Sequence, residues 1–127
     1  MNTNDYLARQ YPNPPCWAMV ADVYATERGQ GVLGYTTINK SVRSIASAFR
    51  LALYKSNHGF VQIADPVDFA VVLMGKSEQL GLHHCGVYYG GQVLHALPNI
   101  TLLQDLASVR GEYKLIEFWA KPAGVPA

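Results

Sequence analysis

The stretch Leu82-His83-His84-Cys85-Gly86-Val87-Tyr88-Tyr89-Gly90-Gly91-Gln92-Val93-Leu94-His95-Ala96-Leu97 decides how the chain is organised. Leu82 to Tyr89 reads as a strand, Gly90-Gly91 as a tight turn and Gln92 to Leu97 as the returning strand. Side chains alternate along a strand, so His83 and His84 point to opposite faces. With the turn at Gly90-Gly91, partners across the hairpin have numbers summing to about 181. Position 86 then lies opposite His95, and His84 is a diagonal neighbour of His95 on the same face. Two imidazoles are thus expected within hydrogen-bonding reach.

Upstream, the pattern is helical. Tyr6 to Gln10 suggests a short first helix, closed by Tyr11-Pro12-Asn13-Pro14-Pro15. Proline suits the first turn of a helix and disfavours a helical residue before it, so a second helix starts at or beside Cys16. Trp17, Val20, Ala21 and Tyr24 recur at helical spacing, and Gly29, Gly31 and Gly34 end the helix. Ser41 is a candidate N-cap for another helix. Val42, Ile45, Phe49 and Leu53 form its apolar stripe, and Lys40, Arg43, Arg50 and Lys55 its basic face. That face reads first as solvated and second as a contact for an anionic partner.

After Asn57-His58-Gly59 the period changes. Phe60 to Ala64 reads as a short strand, and the continuous apolar run Phe69 to Met74 as a buried one. Thr101 to Val109 is expected to be helical, and Tyr113 to Ala120 to complete the sheet. The tail from Pro122 to Ala127 is expected to fray. Helices first and an antiparallel sheet second define an α+β domain. The 127 residues fit a single domain spanning 1–127, and 50% hydrophobic residues suffice for one core.

Composition excludes several function classes. A net charge of +1 gives no general attraction to nucleic acid. No apolar stretch reaches the length a membrane span needs, and Met1 to Asp5 does not read as the start of a signal peptide. Synthesis in a cytoplasm without export is the expectation. Two cysteines do not make a disulfide framework, so both are read as free thiols.

A thiol at a helix start meets unsatisfied N–H groups and positive potential, which lower its pKa and can stabilise an oxyanion. Cys16 is therefore a candidate nucleophile, with His84 and His95 as base and orienter. The competing interpretation makes Cys16 a small buried hydrophobe and the histidines core residues. Cys85, on the other side of the strand from His84, reads as packing. His58 has no evident partner. His83, His84, Cys85 and His95 are close in sequence, but they lack a C-x-x-C pair or an H-E-x-x-H helix, and no metal is expected.

These blocks resemble the NlpC-type cell-wall cysteine peptidases. Cys16-Trp17-Ala18-Met19-Val20-Ala21-Asp22-Val23-Tyr24 is similar to their nucleophile helix, and its Cys-Trp opening with Asp-Val-Tyr to the phage tail and prophage branch. Asp65-Pro66-Val67-Asp68-Phe69-Ala70-Val71-Val72-Leu73-Met74 resembles the Pro-x-Gly-Asp-Val-Val-Leu-Met strand. His84-Cys85-Gly86-Val87-Tyr88 resembles His-Val-Gly-Ile-Tyr, and Val93-Leu94-His95-Ala96 the strand carrying the third catalytic residue. The order is the family's, from Tyr11 to His95.

The resemblance implies a papain-like α+β fold and hydrolysis of an amide bond in peptidoglycan stem peptides. Cys16 would be nucleophile, His84 general base and His95 orienter. Tyr11, or else Tyr6, would line the oxyanion site, with Trp17 beside it on the substrate side. No cofactor is implied. The implied partners are the peptidoglycan peptide and phage tail proteins, in a tail-associated location. Two positions depart from the pattern: Pro15 replaces the usual Asp before the nucleophile, and Val67 replaces Gly. Pro15 favours a rival reading, a tail assembly or structural protein that keeps the fold with weak or no activity. A related amidase or acyltransferase would use the same three residues.

Overall fold

The computed structural model describes residues 1–12, 15–30 and 60–121. The expected Ser41-capped helix with its basic face, the loop at Gly31 and Gly34, His58, and the tail 122–127 lie outside the described residues.

Helix α1 (Asn4–Leu7) is followed by α2 (Pro15–Arg28). Pro15 is the first residue of α2, where a missing N–H costs no helical hydrogen bond. Cys16, Met19, Val20, Val23 and Tyr24 follow at spacings of one turn and are buried, so packing offsets the modest helix propensity of the two valines. Arg28 lies in the last turn, and Gly29 ends the helix at φ 60°, a conformation that favours glycine.

Among the described residues six strands follow: β1 (Val61–Ile63), β2 (Val71–Gly75), β3 (His84–Tyr89), β4 (Gln92–Leu97), β5 (Ile100–Asp105) and β6 (Leu115–Ala120). Helix α3 (Leu106–Glu112) lies between β5 and β6. The strands form one sheet in the order β1-β6-β2-β3-β4-β5, and every pairing is antiparallel. The last strand thus returns to lie between the first two.

Strand β2 is buried at all five positions because both faces of the sheet are covered. On one face Val71, Leu73, Cys85, Val87, Leu94 and Ala96 pack with Met19, Val20, Val23 and Tyr24 of α2. On the other, Val72, Met74, Val93 and Phe118 pack with Val109 of α3 and Tyr113. Period-2 alternation along β3 and β4 assigns each residue to one of these layers. The fold is α+β, helices on an antiparallel sheet, as expected from the sequence.

One element differs. Residues 100–105 are a strand, not the start of a helix. Ile100 to Asp105 pairs with β4 from Leu97↔Ile100 to Gln92↔Asp105 across a two-residue turn at Pro98-Asn99. The apolar residues Ile100, Leu102, Leu103 and Leu106 imitate helical spacing, but the unpaired edge of β4 supplies a partner that local spacing cannot reveal. The helix begins only at Leu106, where the Asp105 carboxylate accepts from the Ser108 N–H at 2.8 Å and caps it.

Candidate active site

The β3–β4 register is Val87↔Leu94, Tyr88↔Val93 and Tyr89↔Gln92, each pair summing to 181. Gly90 and Gly91, at φ 58° and 85°, supply the turn whose twist suits a two-residue hairpin. Continued inward, the register sets Gly86 against His95. A Cβ on Gly86 would lie 2.6 Å from the Leu94 carbonyl oxygen and 2.9 Å from the His95 Cβ. Glycine is therefore required for β4 to approach this closely. The result is a buried pair: His84 Nε2 and His95 Nδ1 are 2.8 Å apart, with the rings edge to face.

Cys16 comes to this pair from α2. Its side chain is 6% exposed, in the first turn of the helix, against the start of β3. The Cys85 side chain does most to hold the Cys16 thiol well below its ordinary range. Burial opposes this, while hydrogen bonding and charge from His84 and the Cys85 backbone N–H add to it. Cys85 moves the other way. Full burial raises it first, and the neighbouring Cys16 raises it further. Of two touching thiols, Cys16 ionises first and Cys85 stays protonated as its donor. Cys85 is packed in the core as expected, but its role beside the sulfur was missed. Alternation places Cys85 and His84 on opposite faces, and only at the end of a strand can one sulfur meet both.

His95 is held below its ordinary range by burial first and then by the charge of His84, against the hydrogen bond to Gln104 and the charge of Glu112. Tyr113 stacks on His84, ring centroids 6.0 Å apart and planes 17° from parallel. Its hydroxyl pKa is raised by burial, then by Glu112 and Cys16. Nothing in the sequence pairs Tyr113 with His84. His83, just before β3, is half-buried, has its ring centroid 6.1 Å from that of Tyr113 and accepts the Lys76 N–H at Nε2, 3.2 Å away.

The remaining expected residues lie as follows. The Tyr11 hydroxyl donates to Asp22 Oδ2 at 2.6 Å, and Arg9 pairs with the same oxygen at 2.5 Å. Asp22 is six residues beyond Cys16, about 9 Å along a helix, so the Tyr11 hydroxyl is held farther along α2 than Cys16. Tyr6 donates to Glu27, still farther along α2. The Trp17 indole is buried in the core beneath α2. Among the described residues no group of three His, Cys, Asp or Glu side chains could hold a metal ion, and no helix is long and apolar enough to cross a membrane.

A buried thiol with lowered pKa, a histidine against it and a second histidine behind the first are suited to the roles of nucleophile, base and orienter. Comparison of whole folds finds a likeness in architecture. The chain is similar to the crystal structure of the NlpC/p60 domain of the peptidoglycan hydrolase SagA, with a TM-score of 0.53 and 15% sequence identity. The likeness covers 91% of this chain and 91% of that one. No protein-family model and no curated protein matches the sequence.

Proposed function

We propose that the chain is an NlpC-type cysteine peptidase that hydrolyses an amide bond in peptidoglycan stem peptides. The observation that carries the proposal is the lowered thiol of Cys16 against His84, itself bonded to His95. The likeness to the NlpC/p60 domain of a peptidoglycan hydrolase supports the substrate class. Fold alone does not set function, so the chemistry of the site bears the weight.

In the proposed reaction the Cys16 thiolate attacks the scissile carbonyl carbon, and the carbonyl electrons move to oxygen. That oxyanion develops beside the positive end of α2 and the Cys16 N–H. The C–N bond then breaks, and the departing nitrogen takes the proton of His84, leaving a thioester on Cys16. Water gives a proton to His84 and adds as hydroxide to the thioester. The S–C bond breaks, the new carboxyl group leaves, and the thiolate–imidazolium pair is restored. His95 holds His84 in orientation throughout.

Incubation with purified peptidoglycan tests this. Stem-peptide fragments with a new amino end are expected from the wild type and not from Cys16→Ala. Uncut stem peptides, or equal cutting by the variant, would overturn the assignment. Release of products other than peptide cleavage fragments would point to the related amidase or acyltransferase.

The likeness of Cys16-Trp17 and Asp22-Val23-Tyr24 to the tail branch supports association with a phage tail, with the particle carrying the domain to the wall. The protein is then expected in purified virions. Its absence from them would remove this part of the proposal. A second reading, a tail component with the fold but little turnover, draws on Pro15. At the head of α2 it supplies neither an N–H nor the carboxylate usual before the nucleophile.

A further inference from the structure

Behind the two histidines a run of hydrogen bonds continues to the protein surface. His95 Nε2 lies 2.7 Å from Gln104 Oε1, and Gln104 Nε2 donates to Glu112 Oε1 at 3.3 Å. Gln104 is in β5, paired with Val93, and so is the diagonal neighbour of His95 on the same face. Glu112 is the last residue of α3. Four elements, β3, β4, β5 and α3, thus contribute one member each.

The direction of this run is fixed by donor and acceptor chemistry. A carboxylate only accepts, so Gln104 turns its NH2 to Glu112 and its carbonyl oxygen to His95. A carbonyl oxygen also only accepts, so His95 carries hydrogen on Nε2. His95 is buried with its Nε2 on Gln104, and burial and the neighbouring charge favour its neutral form. A neutral imidazole has one N–H, so His95 Nδ1 is bare and accepts from Nε2–H of His84. The nitrogen of His84 that remains for the Cys16 sulfur is Nδ1.

We propose that Gln104 is a positioning residue, which sets the His95 tautomer and thereby presents His84 Nδ1 to Cys16 as the proton-exchanging atom. Glu112 acts one step further back by fixing the Gln104 amide. The inference rests on the peptidase reading for its consequence in turnover, but not for the tautomer itself. With His95 in the other tautomer, Nδ1–H would face the Nε2–H of an imidazolium. The thiolate–imidazolium pair would then be disfavoured.

The test uses the whole chain with 15N-labelled histidines and long-range 1H–15N correlation spectra. Wild type is expected to show His95 protonated at Nε2 and bare at Nδ1. Gln104→Met keeps the length and apolar bulk and removes the acceptor, and it is expected to populate both tautomers. In that variant the ultraviolet thiolate titration of Cys16 is expected to move to higher pH. Peptide cleavage is expected to slow by about 10- to 100-fold in kcat with KM nearly unchanged. Glu112→Gln is expected to show a smaller change in the same direction. A wild-type His95 protonated at Nδ1 would overturn the proposal, whether or not the variants fold. So would an unchanged tautomer and thiolate titration in folded Gln104→Met. A correct tautomer in a chain that cuts no peptidoglycan would instead fault the functional reading and leave the role of Gln104 standing.

Discussion

The head of α2 and the start of β3 each present a buried thiol, and the two thiols touch, yet their acidities are driven apart. Cys16 is lowered and Cys85 raised. Burial opposes ionisation at both sites, so depth does not separate them. Position does. Cys16 sits where a helix starts and a histidine and two donors of Cys85 converge. Cys85 sits within the sheet, where the strongest neighbour is Cys16 itself. A reactive cysteine is thus defined by what donates to its sulfur rather than by how exposed it is.

The largest test of this contrast exchanges each sulfur in turn. Cys16→Ala is expected to remove peptidoglycan cleavage, a loss of about a thousandfold or more. Cys85→Ala keeps the nucleophile and removes the first influence that lowers it. The sign follows from that loss: the Cys16 titration moves up, so less thiolate is present at mildly acid pH. For a midpoint that rises by one pH unit, activity there is expected to fall about tenfold, with a smaller deficit at alkaline pH. Equal losses in both variants, seen in rate measurements across pH, would erase the distinction.

A structural change comes next. Gly86→Ala places a Cβ against the Leu94 carbonyl and His95. A loss of about 1–3 kcal/mol is expected in denaturant unfolding, together with a weakened His84–His95 contact. The smallest effect is expected from Tyr11→Phe. Its hydroxyl serves Asp22, so stability should drop by about 0.5–1.5 kcal/mol while the cleavage rate stays nearly constant. A large rate loss in Tyr11→Phe would return Tyr11 to the oxyanion site suggested by the family pattern.

The β3–β4 hairpin was legible in the sequence because its signals are local. Two glycines set the turn, the turn sets the register, and the register brings His84 beside His95. The prolines before Cys16 fixed the helix start for the same reason. The β4–β5 hairpin was not legible, since Ile100, Leu102, Leu103 and Leu106 fit a helix equally well and only the waiting edge of β4 decides. That single difference hid Gln104, which reaches His95 only as a strand residue. Cys85 was assigned to the correct layer, but its contact with Cys16 depends on where the head of α2 meets β3. No spacing rule carries that information.

The proposed chemistry depends above all on Cys16 being an activated thiol. Ultraviolet thiolate absorbance, followed against pH for wild type and Cys16→Ala, tests it most directly. One ionisation is expected well below the ordinary free-thiol value of about 8.5, present in wild type and absent from the variant, with Cys85 silent until the protein unfolds. A wild-type curve that rises only at or above about pH 8.5 would contradict it.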